Sequence, residues 1–348
     1  MAVYTSGALN GKSVTDIWAG NMFSVARTSD GQFFVWGLNS SGQLGNGTTA
    51  SVSQPVALNL TGILAGKTLS KVFPAGTHLL GLTADGQLLT WGSNTSGQLG
   101  NGALSSVLVP TAINLPSELQ GKTITALGGD QSHSHFLTAD GQLWAMGDNS
   151  YGQFANGNLV SSLFPVRSNA PENETVAEIY PSMGYHFLVR TNSGSFYTVG
   201  QSIYGQMGDG TGPQNPTPTL LSSAAFGGEP LVGIAGGISH MVGLTTGGSL
   251  FAWGSNTGGR LGFAQTMVPS LTGGSVGYWV SVNVPQALSP GYPIAALGAG
   301  WAHSMAVTTS GELLSWGYNT YGELGNGNAT TTTTPALIPT VPAAAGKV

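Results

Sequence analysis

The chain has 348 residues, among them 55 glycines, 18 prolines and no cysteine, and charged side chains make up only 7 % of it. The lack of cysteine excludes disulfide-stapled domains, cysteine-ligated zinc modules and iron-sulfur proteins. Nine Lys and Arg residues against fourteen Asp and Glu residues give a net charge of -5, which leaves too few cations for phosphate neutralisation and excludes nucleic acid as a partner.

The N-terminal segment, residues 1–12, has no basic stretch followed by an apolar one. The sequence therefore predicts no secretory signal, which is consistent with synthesis in the cytoplasm or with a virion component. No window approaches about 18 consecutive apolar residues, so no membrane span is predicted. Hydrophobic residues make up 41 % of the chain, enough for a sizeable core, and a single domain over residues 1–348 is expected.

Six copies of one motif fill the chain from Trp36 onward. The segment Trp36-Gly-Leu-Asn-Ser-Ser-Gly-Gln-Leu-Gly-Asn-Gly47 returns almost unchanged from Trp91, and looser copies begin at Met146, Val199, Trp253 and Trp316. A catalytic group is expected once, so six copies indicate a structural role. Its glycines permit tight turns, its Asn can bond the turn backbone, and its Trp and Leu can wedge between sheets. The predicted structural residues are Trp36, Gly42, Leu44, Trp91, Gly97, Leu99, Gly152, Gly205, Trp253, Gly259, Trp316 and Gly322.

Each motif is preceded by a hairpin signal and followed by a proline. The hairpin pairs, which supply positive φ angles, are Asp30-Gly31, Asp85-Gly86, Asp140-Gly141, Ser193-Gly194, Gly247-Gly248 and Ser310-Gly311. The prolines, each expected to open an edge strand, are Pro55, Pro110, Pro165, Pro218 and Pro335. Each repeat thus contains about four short strands. The sequence predicts an all-β fold, a β-propeller with six blades, with seven as the alternative.

Copy five contains an insertion at about residues 265–280. From Gly262 to Pro285 the separation is 23 residues, against ten in the other copies. Asymmetry in a repeat protein tends to mark a binding face, and Tyr278 and Trp279 are of residue types enriched at binding hot spots. These two residues are predicted to contact a partner, with anchoring of their own loop as the alternative.

The histidines and carboxylates do not indicate catalysis or metal binding. Five histidines lie eight residues before the hairpin glycine of their copy, and Phe23 stands at that position in copy one. Because a phenylalanine substitutes there, the position is expected to serve packing and a hydrogen bond. The carboxylates of Asp30, Asp85 and Asp140 are explained by their turns. We therefore expect no enzyme, no cofactor and no metal site.

The repeated motif resembles that of the regulator of chromosome condensation family. The likeness covers roughly residues 13–340 and includes a Gly shortly before a His, then an Asp-Gly-like turn, then Trp-Gly-x-Asn-x-x-Gly-Gln-Leu-Gly-x-Gly. It implies a β-propeller of four-stranded blades, usually seven. The exchange factor of that family uses a basic tail and a wedge that have no counterpart here. Other relatives bind proteins with a propeller face, which is what the resemblance implies for this chain.

Two functions remain open from the sequence. The first is a non-catalytic interaction propeller that binds a protein or glycan partner. The alternative is a structural assembly component, such as a virion, tail-fibre or cell-surface protein, in which unpaired terminal strands mediate self-assembly. Few charges and a surface rich in Gly, Ser, Thr and Asn suit that alternative.

Overall fold

The computed structural model describes residues 7–58, 65–113, 115–169, 171, 173–210, 213–263, 279–282 and 293–339. The chain divides into two compact units, Met1–Ile179 and Tyr180–Val348. Within the described ranges, helix is confined to short 3-10 turns at Ser117–Leu119, Ser223–Phe226 and Thr257–Gly259. None of the helices described is long and apolar enough to cross a membrane.

The described strands form six sheets of four, and in every sheet the strands follow one another in chain order. The strands of the first three sheets are β1 (Val14–Ala19), β2 (Phe23–Thr28), β3 (Phe33–Gly37), β4 (Val52–Ala57), β5 (Leu69–Ala75), β6 (His78–Thr83), β7 (Leu88–Gly92), β8 (Val107–Ala112), β9 (Ile124–Gly129), β10 (His133–Thr138), β11 (Leu143–Gly147) and β12 (Ser162–Arg167). Those of the last three are β13 (Val176–Pro181), β14 (His186–Thr191), β15 (Phe196–Gln201), β16 (Gln214–Leu220), β17 (Leu231–Gly236), β18 (His240–Thr245), β19 (Leu250–Gly254), β20 (Trp279–Val282), β21 (Ile294–Ala299), β22 (His303–Thr308), β23 (Leu313–Gly317) and β24 (Thr332–Leu337). This is the predicted all-β propeller of antiparallel blades, and the described residues form six blades rather than the alternative seven.

The repeated prolines lie in edge strands, but they do not open them. Pro55 is the fourth residue of β4, and the ladder between β3 and β4 is broken near it, between Val35 and Gly37. The break matters because proline has no N–H to give to a ladder. In the fifth blade the outer strand, β20, lies before Pro285 rather than after it, and Pro285 is outside the described residues.

The cores lie between consecutive sheets. Trp91 of the second sheet is fully buried in one cluster with Val35 and Leu44 of the first. Trp253 and Trp316 are buried in the same way against the preceding sheets of the second unit. A four-stranded sheet has two apolar faces, and stacking blade on blade covers both.

A buried backbone carbonyl in the motif loop receives a donor in each of copies one to five. The indole Nε1 of a following copy donates to Gln43 O at 3.1 Å, to Gln206 O at 2.9 Å and to Arg260 O at 3.0 Å. Copies three and four have Met146 and Val199 in place of the tryptophan, and other donors act there. Ser134 Oγ donates to Gln98 O at 2.8 Å, and His135 Nε2 lies 2.8 Å from Gln153 O.

The motif asparagine fixes its own loop from within. Asn94 is fully buried, its Oδ1 accepts a hydrogen bond from Leu99 N at 3.0 Å, and its Nδ2 donates to Ala103 O at 2.8 Å. The same bond, from a backbone N–H five residues further on, is made to Asn39, Asn149, Asn256 and Asn319 at 2.8 to 3.1 Å. Each loop is therefore rigid without contributions from its exposed residues.

We predict that Gly97→Val destabilises the protein more than Gly322→Val. The φ angle is +83° at Gly97 and +82° at Gly322. A β-branched residue with such a φ angle destabilises the fold by about 1–3 kcal/mol. A Cβ at Gly97 would also lie 2.5 Å from Leu163 Cδ2, whereas one at Gly322 would meet no described atom within 4 Å. Urea unfolding should show an additional loss of about 1–3 kcal/mol for Gly97→Val. Equal losses would contradict the close packing of this loop on the next blade.

Candidate interaction face

Two kinds of connection lie at the same edge of every sheet, because neighbouring strands are antiparallel. They are the turn between the first and second strands and the motif loop between the third and fourth. In the sixth sheet they comprise residues 300–302 and 318–331. We call this edge the motif edge, and the opposite edge, with the Asp-Gly-like turns, the hairpin edge.

The aspartates of the three Asp-Gly hairpins belong to structural ion pairs. Lys12 Nζ lies 2.6 Å from Asp30 Oδ2, and equivalent pairs join Lys67 to Asp85 at 2.9 Å and Lys122 to Asp140 at 2.6 Å. Hydrogen bonds from Lys12 and then from Thr28 lower the pKa of Asp30 to about 2. These carboxylates stay ionised and tie each hairpin to the segment that enters its sheet, which is not the arrangement of a general acid or base.

Each of the five repeated histidines begins the second strand of its blade, and His78 and His240 contact the next sheet. His78 Nε2 lies 2.7 Å from Ser134 Oγ, and His240 Nε2 lies 2.9 Å from Ser304 Oγ. Since Ser134 gives its own proton to Gln98 O, its oxygen accepts from His78 Nε2–H, which assigns the tautomer. Among the described residues the Nδ1 atoms of His78 and His240 have no hydrogen-bond partner. Burial lowers the pKa of each of these two histidines to about 3.

The pairing also explains the exception in copy one. Phe23 takes the histidine position there, and Leu79 takes the position of the acceptor serine in the next sheet; both belong to one apolar cluster. The residue types are thus matched at these three interfaces, polar with polar and apolar with apolar, whereas His186 Nε2 lies 3.2 Å from Met241 Sδ. Among the described residues, no group of three or more His, Cys, Asp or Glu side chains could hold a metal ion.

The predicted contact residues of the copy-five insertion are only partly described. Tyr278 lies outside the described residues. Trp279 is the first residue of β20, where its backbone pairs with that of Trp253. The end of the insertion is therefore strand rather than loop.

Exposed aromatic residues gather at the motif edge of the second unit. Trp301, in the turn of the sixth sheet, is 58 % exposed, although the motif tryptophans Trp253 and Trp316 are buried. Tyr321 and Tyr204 stand at the same position of their motif loops and are 88 % and 51 % exposed. Trp and Tyr are the residue types most enriched at binding hot spots.

Backbone contacts make the turns of this edge continuous. Ile238 N, in the turn of the fifth sheet, donates to Trp301 O at 3.3 Å, and Tyr318 N donates to Ala302 O at 3.0 Å. A Cβ on Gly184, in the turn of the fourth sheet, would lie 2.0 Å from Ile238 O. The three turns therefore present their side chains from one contiguous surface.

Arg260 interrupts the motif within this surface. In four other copies the side chain of a glutamine accepts a turn N–H at 2.8 to 2.9 Å. An arginine cannot accept, and Arg260 instead donates from Nε to Thr257 O at 2.7 Å and from Nη1 to Ser239 Oγ at 2.9 Å. Its side chain is nearly buried, and burial lowers the pKa of its guanidinium while the nearby Tyr204 phenol opposes the shift.

Sequence analysis did not select Trp301 or Arg260. The signal for Arg260 was visible, because it replaces Gln43, Gln98, Gln153 and Gln206 of the other copies. Trp301 lies in a turn whose sequence varies between copies, so only the topology shows that it shares an edge with the motif loops.

The comparisons with known proteins agree with this fold. The model of the RCC1-like domain matches residues 5–348. The chain belongs to the RCC1-like domain family. It is 28 % identical over 333 residues to the ultraviolet-B receptor UVR8 of Arabidopsis thaliana, covering 95 % of this chain and 71 % of that protein. It is also 28 % identical over 305 residues to the secretion-regulating guanine nucleotide exchange factor of Bos taurus, covering 84 % of this chain and 61 % of the relative.

Solved structures of this family have the same fold. Human WBSCR16 superposes with a TM-score of 0.78 at 22 % identity, over 94 % of this chain and 82 % of that one. Yeast RCC1 (Prp20), solved with Kap60 bound, also gives 0.78, at 20 % identity over 94 % and 75 %. The chain spans only 6 % of mouse HERC2, an E3 ubiquitin-protein ligase that is 28 % identical over 320 residues. These relatives favour a protein-binding or regulatory function over an assembly component.

We predict that acid destabilises the protein through its buried neutral histidines. The folded pKa of His240 is about 3 and the unfolded value is 6.5, so the unfolded chain binds the proton first. The stabilisation is complete above pH 6.5 and is lost as the pH falls toward about 3, by about 1.4 kcal/mol per pH unit for each such histidine. Urea unfolding between neutral pH and about pH 4 measures this slope.

The matched control is His240→Phe with Ser304→Leu, which copies the apolar pair of Phe23 and Leu79. Arg260 O keeps the indole of Trp316 as a donor in this variant. Its unfolding free energy should depend less steeply on pH, by about the contribution of one histidine. An unchanged slope would show that His240 is not held neutral.

Proposed function

We propose that this chain is a non-catalytic interaction propeller whose protein partner binds the motif edge of the second unit. The observation that carries the proposal is the exposure of Trp301, Tyr321 and Tyr204 on one surface. The motif tryptophans Trp91, Trp253 and Trp316, by contrast, are buried. Exposed aromatic side chains that the packing of the blades does not use are typical of a binding surface.

The rigidity of the loops supports the same proposal. Tyr321 N is bonded to Glu323 Oε2 at 2.8 Å, and Asn319 Oδ1 accepts from Leu324 N at 2.9 Å. The Tyr321 side chain thus projects from a loop that is ordered before a partner arrives. Such preorganisation lowers the entropy cost of association. A protein partner is favoured over a glycan because relatives of this fold bind proteins, as yeast Prp20 binds Kap60.

The copy-five insertion is a second contact in the same proposal. Its Tyr278 and Trp279 belong to the one repeat whose motif-to-proline interval is lengthened. Insertions in repeat proteins tend to lie at the binding face. We propose that the pair enlarges the contact surface of the fifth blade.

Site-specific photo-cross-linking tests the choice of edge. Benzoylphenylalanine is placed at Trp301 or Tyr321, with Ser310 of the sixth sheet's hairpin as the matched exposed control. Positions 301 and 321 should cross-link to the same protein, whereas position 310 should not. With the purified partner, Trp301→Ala should weaken binding by about 2 kcal/mol or more and leave the melting temperature nearly unchanged. Cross-links from position 310 alone would place the binding surface on the hairpin edge and contradict the proposal.

The insertion has its own test. Changing both Tyr278 and Trp279 to Ala should cost about 2 kcal/mol or more in binding if the pair contacts the partner, with little loss of melting temperature. A loss of melting temperature with normal affinity in the folded protein would assign the pair to anchoring of its own loop. Measuring Trp301→Ala in parallel distinguishes the contribution of the insertion to binding from that of the turn that contains Trp301.

A further inference from the structure

We propose that Arg260 is the anchor for a carboxylate side chain of the protein partner. This inference rests on the proposed function and adds the chemistry of the partner at that surface. The segment it would recognise is an acidic residue next to an apolar or aromatic one, because Arg260 lies close to the turn that contains Trp301 and close to Tyr204.

The first argument is that the charge of Arg260 has no carboxylate partner among the described residues. Arg260 is only 8 % exposed, and its side chain donates hydrogen bonds to a carbonyl oxygen and a hydroxyl oxygen. The ion pairs of the described residues do not include Arg260. A nearly buried guanidinium without a carboxylate is costly, and charges in such positions are ordinarily paired.

The second argument is that the fold does not need an arginine at this position. The motif loop forms with glutamine in four copies and with Glu323 in the sixth. The interaction that links Arg260 to the next sheet is made by its backbone oxygen, which receives Trp316 Nε1 and Ser304 Oγ at 3.0 and 2.9 Å. Any residue supplies that oxygen. The hydrogen bonds of the side chain lie within the fifth blade, so the side chain takes no part in that link to the next sheet.

The third argument is geometric. Arg260 Cα lies 3.3 Å from the position that a Cβ on Gly317 would take, directly under the turn that contains Trp301 and Ala302. Tyr204 is close enough to act electrostatically on its guanidinium. A carboxylate bound at this nearly buried guanidinium would be partly sheltered from water. Such shelter strengthens a charge-assisted hydrogen bond.

The charge pattern selects a single carboxylate rather than a polyanion. Arg260 and Arg190 are the only Lys or Arg residues among the described residues of the second unit, and Arg190 lies over the Phe196 ring, in strands next to a hairpin. The motif edge there also carries Glu323 and Asp209, and the whole chain has a net charge of -5. The single cation attracts an acidic side chain over a short range. The net negative charge of the chain repels nucleic acid or a phosphate-rich surface.

Peptide selection tests the inference without knowledge of the natural partner. A phage library of short random peptides is selected on the immobilised full chain and on Arg260→Gln, the residue of four other copies. The wild-type chain should enrich peptides with Asp or Glu next to an apolar residue, and Arg260→Gln should not. Because the variant restores the repeat pattern, its melting temperature should be equal or higher.

Titration calorimetry then provides the decisive comparison. Replacing the acidic residue of the most enriched peptide by its amide should weaken binding to the wild-type chain about tenfold or more and should not change binding to Arg260→Gln. Equal affinity of the acid and amide peptides for the wild-type chain overturns the inference. If the enriched peptides bind Arg260→Gln as tightly as the wild-type chain but do not bind Trp301→Ala, the inference is wrong and the proposed function stands. Enrichment that depends on neither residue, or no enrichment, contradicts both the inference and the proposed function.

Discussion

A buried carbonyl oxygen in the motif loop is the constraint on which much of this structure depends. It lies where one blade meets the next, and a buried backbone acceptor without a donor is costly. The usual donor is the motif tryptophan of the following blade, as Trp91 is for Gln43. Where the tryptophan is missing, Ser134 of the next blade bonds the oxygen of Gln98, and His135 of the same blade bonds that of Gln153. The same need for a donor to this oxygen thus recurs in copies one to five, and different residues can meet it.

This constraint separates structure from function within a single loop. The backbone oxygen, the asparagine and the glycines hold the loop and the next blade, so the exposed positions of the loop can change without loss of the fold. Copies three to six use that freedom, with Tyr151, Tyr204, Arg260 and Tyr321 at positions filled by Ser or Gln in copies one and two, and the last three lie in the second unit. The proposed binding surface consists of these last three departures from the repeat together with Trp301.

The sequence was sufficient for the blade count and the fold class, because Trp-Gly motifs and Asp-Gly-like hairpins are local signals. The sequence pattern wrongly predicted that the prolines open their strands. Pro55 lies inside its strand because the pairing is broken near Gly37, and that break depends on a neighbouring strand. The sequence pattern selected Tyr278 and Trp279 because an insertion is visible in a linear comparison. Trp301 was not selected as a contact residue, because its exposure depends on which turns share an edge. Arg260 could have been found as the one motif position where an acceptor is exchanged for a donor.

Hydrogen exchange of the chain, free and bound to the partner identified by cross-linking, tests the central claim most directly. Binding at the motif edge predicts slower exchange at residues 300–303 and 318–322 of the sixth blade and at the equivalent turns and loops of blades four and five. The hairpins at residues 246–249 and 309–312 should exchange at unchanged rates. Protection confined to those hairpins, with no change around Trp301 and Tyr321, would contradict the account.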